Sequence, residues 1–258
     1  MNDPMQPYVE FANRLAKESA TLIMSHFGGR IVAERKADQT PVTLADREAE
    51  QLMRRLIEAQ YPKHQVLGEE GGLSGPDNAD FQWVLDPIDG TKSFMHGVPL
   101  FGTLIALLRE GQPVLGVIHL PALGQLVLGC EGRTTTLNGQ PVQVSEISEL
   151  SEATVLYTCP VNMRKQGMAE KFKELEEKAR LVRTWGDCYG HLLVATGQAD
   201  VMYDPTLSLW DVAALKPCVE GAGGLLTDRD GSTAIAAGQA AVSTNGLLHQ
   251  EVLDILGG

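Results

Sequence analysis

Positive charge is scarce in this chain of 258 residues: 21 Lys and Arg stand against 33 Asp and Glu, a formal net charge of -12. That balance argues against nucleic acid or an anionic membrane as a partner, because both require a basic face that replaces released counterions. Cysteine is sparse too. Cys130, Cys159, Cys188 and Cys218 lie far apart with no Cys-x-x-Cys pair, which speaks against a zinc cluster or a disulfide framework and for buried, reduced thiols. No apolar run reaches the roughly 20 residues a spanning helix needs. Met1-Asn2-Asp3-Pro4 does not open a basic and then apolar secretory leader. These absences describe a cytosolic protein. Its 43% hydrophobic content suffices for a packed core without covalent staples, as one large domain or two modest units sharing a core.

Apolar residues at helical spacing predict a first helix over residues 8–27, ended by Gly28-Gly29, and a second after Pro41-Val42-Thr43, with Pro62 beyond its end. Residues 65–67 and 81–85 read as strands, and the glycine-rich stretch 71–76 between them as a mobile loop. From 100 to 144, strand-like runs punctuated by glycine turns predict an antiparallel meander. Elements then alternate: strand 154–158, helix 168–179, strand 181–184, helix 189–196, strand 200–203, helix 212–220, strands 224–227 and 241–243, and a last helix from Leu247. Alternation of this kind implies an α/β layer. The polar stretch 145–152 marks the boundary between an N-terminal α+β subdomain (1–147) and a C-terminal α/β subdomain (148–258), together one compact unit.

What the chain does have is Trp83-Val84-Leu85-Asp86-Pro87-Ile88-Asp89-Gly90-Thr91, a buried apolar run that ends in two carboxylates and a glycine turn. Pro87 stops the strand ladder, and Gly90-Thr91 opens a helix whose leading N–H groups attract anions. Carboxylates beside an anion site repel a phosphate unless a hard divalent cation such as Mg²⁺ lies between them. Three other acidic sites have two readings that the residues alone leave open. Asp46 follows Thr43 at capping-box spacing, Asp211 precedes an apolar helix as an N-cap would, and Glu69-Glu70 fits a solvated loop. Asp86 follows directly on an apolar strand, where an unpaired charge is costly.

Taken together, Thr40-Pro41-Val42-Thr43-Leu44-Ala45-Asp46, Gly68-Glu69-Glu70, the Asp86 to Thr91 block, Trp210-Asp211-Val212-Ala213-Ala214 and Glu220-Gly221-Ala222-Gly223-Gly224 resemble the inositol monophosphatase family over nearly the whole chain. The resemblance implies a layered α-β-α-β-α sandwich that dephosphorylates small molecules with two or three Mg²⁺ ions, Mn²⁺ also accepting oxygen ligands, and it implies a homodimer. By motif, Glu69, Asp86 and the Ile88 carbonyl hold one metal, and Asp86, Asp89 and Asp211 a second. Gly90 and Thr91 cradle phosphate through backbone N–H groups. Thr91, its hydroxyl polarised by Asp46, accepts the proton of a metal-activated water. Lys36 stands at the distance the family shows before Asp46, either helping to place water or phosphate or simply at the surface.

The segment Gly186-Asp187-Cys188-Tyr189-Gly190 departs from the small-residue version of inositol-specific members and resembles the histidinol-phosphatase branch, as does Asp204-Pro205. Physically, Asp187 and Asp204 suit a substrate carrying an ammonium and an imidazole, and Tyr189 offers a ring for stacking. Asp187 is equally placed to cap the following helix, and Tyr189 to pack in the core. The implied reaction is hydrolysis of histidinol phosphate in histidine biosynthesis. Inositol or sugar phosphates are the alternative, and a non-catalytic regulatory protein of the same fold the remaining one.

Overall fold

The structure is a computed structural model that describes residues 3–29, 33–35, 41–233 and 238–257. Two long amphipathic helices come first. α1 (Gln6–His26) carries a proline in its first turn and buries Val9, Ala12, Leu15, Ala16 and Ile23. A short antiparallel pair, β1 (Ala33–Arg35) and β2 (Pro41–Thr43), leads into α2 (Leu44–Gln60).

The first sheet follows: β3 (Gln65–Gly68), β4 (Gly72–Ser74), β5 (Phe81–Asp89), then α3 (Thr91–Met95), β6 (Gly102–Arg109), β7 (Gln112–Leu120), β8 (Gln125–Cys130), β9 (Thr136–Leu137) and β10 (Gln140–Pro141). Among the described residues its order is β10-β9-β8-β7-β6-β5-β3-β4, the expected meander extended by β3, which runs parallel to β5. Two expectations need correction. The stretch read as a mobile loop contains β4, antiparallel to β3, because Arg54 donates to the Gly72 carbonyl and the Ser74 hydroxyl at 2.5 and 2.8 Å. Nor does Pro87 end its strand: β5 continues to Asp89 with a register shift between Asp86 and Asp89. A proline has no N–H for the ladder, so it sits where a bulge already interrupts pairing.

The second sheet is built from β11 (Thr154–Tyr157), β12 (Leu181–Arg183), β13 (Val201–Leu207), β14 (Leu225–Thr227) and β15 (Gln239–Thr244), in the order β12-β11-β13-β15-β14. Interleaved helices are α4 (Pro160–Lys165), α5 (Ala169–Lys178), α6 (Asp187–Ala195), α7 (Leu209–Val212), α8 (Leu215–Glu220) and α9 (His249–Gly257). The predicted helix 212–220 is two short helices, and α6 begins two residues earlier than expected. β13 runs through Pro205 with a register shift between Asp204 and Leu207, the same Asp-Pro-bulge device as in β5.

Strand parity explains the layers, since alternate side chains of a strand face opposite sides of its sheet. Trp83 and Leu85 pack with Ile105 and Leu115 against α1 and α2. Val84, Leu104 and Ile118 face the other way, onto α6 and α8, which the second sheet covers through Leu156, Met202 and Ala241. The second sheet's outer face, with Val155, Val201 and Val242, is closed by α5 and α9 through Phe172, Leu175 and Val252. The result is the α-β-α-β-α sandwich expected. α8 lies directly on β7 and β8: a Cβ on Gly116 would sit 2.0 Å from the Ala214 carbonyl, and one on Gly129 2.1 Å from that of Pro217.

Candidate active site

Asp86 shares the face of Val84, so it points toward the middle helices, at the edge where the bulge of β5 swings Asp89 to the same side. α7 brings Asp211 to meet them. One carboxylate oxygen from each of Asp86, Asp89 and Asp211 lies within 4.8 Å of the others. Glu69, immediately after β3, is held by its N–H on the Leu85 carbonyl at 3.1 Å and lines the same cleft.

Asp46 has the capping-box place expected of it, whereas Asp211 is not the N-cap of its helix: Ser208 is, and Asp211 stands three residues further on as its capping-box partner. Asp46 accepts the Thr43 N–H and hydroxyl through Oδ2 at 2.8 and 2.5 Å, completing a capping box on α2. Asp211 accepts the Ser208 N–H at 2.7 Å in a second capping box, on α7. A cap occupies one carboxylate oxygen and leaves the other for chemistry. Oδ1 of Asp46 and Oδ1 of Asp86 are both buried without a hydrogen-bond partner.

This crowding moves the acids far from ordinary behaviour. Burial first, then Glu69, Asp89, Asp211 and Asp46, push Asp86 well above the carboxylate range. Asp89 is raised in the same way by burial, then by Asp187 and Asp211. Asp211 is pushed up to about 7, chiefly by burial. Several buried carboxylates in contact are stable only when protons or cations neutralise them. All-oxygen donors with unpartnered buried lone pairs fit a hard divalent cation.

Gly90 caps α3 in the left-handed region (φ 80°), where glycine carries no Cβ penalty, and a Cβ there would come within 3.2 Å of both Asp187 Oδ2 and the Leu100 carbonyl. The Thr91 hydroxyl donates to the Ile88 carbonyl at 3.1 Å; it is not directed to Asp46 as expected. That carbonyl keeps a second lone pair.

A cleft of about 240 Å³ runs from Glu69, Asp89, Asp211 and this turn out to Lys92, Thr158, Asp187, His191, Asp204 and Thr206. Asp187 does not cap α6 through its side chain. Gly186 is the N-cap, and Asp187 itself adopts a left-handed φ of 53°, its N–H donating to the Thr158 hydroxyl at 2.8 Å. Burial, then Asp204, raise its carboxyl to about 7 while Lys92 opposes them. The Cys188 N–H donates to Asp89 at 2.5 Å, tying α6 to the metal-ligand strand. Asp204 is buried with Oδ2 3.3 Å from His191 Nε2, and His191 Nδ1 is 2.7 Å from the Ser243 hydroxyl. Tyr189 is not brought to the cleft: it is half-buried and packs against the middle core. Lys36 lies outside the described residues.

Sequence reasoning missed Glu50. A signal for Glu50 existed, since Asp46, Glu50 and Arg54 follow one another at i, i+4 and i+8 and so form one polar stripe on α2.

An acidic cluster at a glycine turn, inside a layered α-β-α-β-α sandwich, defines a metal-dependent phosphatase. The profile of the inositol monophosphatase family matches residues 4–256. A histidinol-phosphatase of Chlorobaculum parvum is 43% identical over 254 residues, covering 98% of each chain. One from Mycobacterium tuberculosis is 40% identical, covering 93% of this chain and 94% of the relative. An inositol monophosphatase structure from Zymomonas mobilis superposes with a TM-score of 0.88 at 34% identity, over 100% of both chains. The chain belongs to the inositol monophosphatase family. Among the described residues no helix is long and apolar enough to cross a membrane.

Proposed function

We propose that this enzyme hydrolyses L-histidinol phosphate to L-histidinol and phosphate in histidine biosynthesis, with Mg²⁺, as a cytosolic homodimer. The observation that carries the reading is the pair of acids, Asp187 and Asp204, on the cleft beyond the phosphate turn. A neutral polyol gains little from them, whereas an ammonium and an imidazolium are matched in charge. The relatives that carry the name histidinol-phosphatase at 40% identity or more over nearly the whole chain support the same choice.

Asp86, Asp89, Asp211 and Glu69, with the Ile88 carbonyl, are the residues to hold the cations. Bound there, divalent cations neutralise the carboxylates, withdraw charge from the phosphoryl oxygens and make a water acidic near neutral pH. The N–H groups of Gly90 and Thr91 receive the phosphate oxygens at the start of α3. Thr91, whose hydroxyl donates to the Ile88 carbonyl, keeps a lone pair beside that phosphate to orient the attacking water, and the proton that water loses goes to the free carboxylate oxygen of Asp46. Asp46, fixed by its cap, keeps Oδ1 as the remaining acceptor. Asp187 and Asp204 orient the amino alcohol. Tyr189 does not enter this assignment.

Phosphate release from histidinol phosphate and from inositol 1-phosphate, measured side by side with chelator, Mg²⁺ and Mn²⁺, tests the proposal. Histidinol phosphate should be preferred and activity should vanish with chelator and return with Mg²⁺. A clear preference for inositol phosphate overturns the substrate, and insensitivity to chelator overturns the metal.

A further inference from the structure

We propose that Glu50 is a positioning residue for the metal site, holding the turn from which Glu69 reaches the cation. The inference rests on the reading of Glu69 as a ligand. The Glu50 side chain is only 2% exposed. Its Oε2 accepts the Glu70 N–H, and its Oε1 accepts the Gly71 N–H and Arg54 Nε, all at 2.8 Å. The backbone is therefore tied on both sides of the Glu69 side chain, to β5 through the Glu69 N–H and to α2 through the next two N–H groups.

The surrounding sequence is shaped to admit this carboxylate. A Cβ on Gly68 would lie 2.3 Å from the Glu50 carboxyl carbon, and one on Gly71 2.8 Å from Oε1. Arg54 supplies the opposite charge and extends the clamp to β4 through the Gly72 carbonyl and Ser74 hydroxyl. An i, i+4 pair on a solvated helix is worth only a few tenths of a kcal/mol and has no use for two backbone donors from another element. Here the acid is buried on the helix that carries Asp46 and against the turn that carries Glu69, an arrangement costly in charge. What it supplies is charge-assisted bonds that fix the backbone origin of Glu69. Such outer partners orient ligands that a flexible turn would leave to wander.

The test titrates Mg²⁺ into the metal-free full chain by calorimetry and follows the Mg²⁺-induced rise in Tm, for the parent, Glu50→Gln, Glu69→Gln and a control, Asp200→Asn. Asp200 accepts the Thr154 N–H at 2.6 Å at the start of the second sheet, so its loss reports general loosening. In Glu50→Gln one of the two backbone N–H groups faces an amide NH₂ whichever way the side chain turns. Mg²⁺ affinity should fall on the order of 10–100-fold, as for other outer partners of metal ligands, while kcat at saturating Mg²⁺ changes far less. Asp200→Asn should lower Tm and leave the Mg²⁺ midpoint in place. A Glu50→Gln midpoint like the parent's, beside a weakened Glu69→Gln, overturns the proposal alone, as does an equal shift in Asp200→Asn. An unchanged Glu69→Gln overturns the ligand reading and the proposal with it. Should Glu50→Gln fail to fold, Arg54→Gln carries the test: the same direction of shift supports the clamp, and an unmoved midpoint overturns it.

Discussion

Replacing Asp211 with Asn should make the metal-free protein more stable, although it removes a residue of the active site. Asp211 is held at about 7 against an ordinary 3.8, chiefly by burial and then by Glu69, with Ser208 and Asp86 acting the other way. About three pKa units correspond to ~4 kcal/mol. The folded pKa lies above the unfolded one, so the folded state binds the proton more tightly. Metal-free stability is therefore greatest at low pH, declines as pH rises from the unfolded value, and bears the whole penalty above the folded value. Asn keeps the shape and one oxygen for the Ser208 N–H, so the cap survives while the charge goes. At pH 8 with chelator the variant should melt higher by up to about 8–16 °C, taking about 2–4 °C per kcal/mol for a chain of this size. At pH 5 the difference should shrink to under about 2 kcal/mol. Excess Mg²⁺ narrows the gap at pH 8 and reverses the order at pH 5, because the parent gains about 2.7 kcal/mol at a hundred times Kd and the variant has lost a ligand. Scanning calorimetry at both pH values, with chelator and with Mg²⁺, reads all four corners. A metal-free variant less stable than the parent at pH 8 refutes the argument from buried repulsion; equal Mg²⁺ stabilisation of both refutes Asp211 as a ligand.

Gly90→Ala should lose about 1–2 kcal/mol from the left-handed backbone alone, measured by urea unfolding, and should also lose kcat, because the new Cβ crowds Asp187 and the Leu100 carbonyl. Undiminished stability and turnover would show that the turn relaxes. Asp187→Asn should raise KM for histidinol phosphate several-fold and leave inositol 1-phosphate nearly unaffected. Equal loss on both would assign Asp187 to the fold of the turn and not to substrate choice.

The Asp86 to Thr91 block was legible because its signals are local: an apolar strand, an Asp-Pro step and a glycine turn are all adjacent in the chain. The element order was legible for a similar reason, since helical spacing along α1 and α2 and the glycine-punctuated strands are written in single segments, whereas the layered sandwich was an implication of the family resemblance. Where reading failed, a partner distant in sequence decided the outcome. β4 forms because Arg54, some 20 residues away, satisfies its backbone and Ser74. Strand β5 survives Pro87 because β6 pairs on either side of the bulge. Tyr189 faces the core because helix α6 begins at Asp187, and no pattern in residues 186–190 reveals that left-handed start.

The chain's own order of residues thus determines which atoms are available: the acids, the glycine turn, the two capping boxes and an excess of negative charge that needs a cation. Tertiary structure decided which of those atoms share one point. It brings Asp211 to Asp86, the Cys188 N–H to Asp89 from 99 residues away, and His191 to Asp204. It also turns Glu50 from a helix-surface acid into the clamp behind Glu69. The physical reason is range: caps, turns and periodicity are set by neighbours along the backbone, whereas burial and mutual repulsion depend on groups that only the packed layers place together.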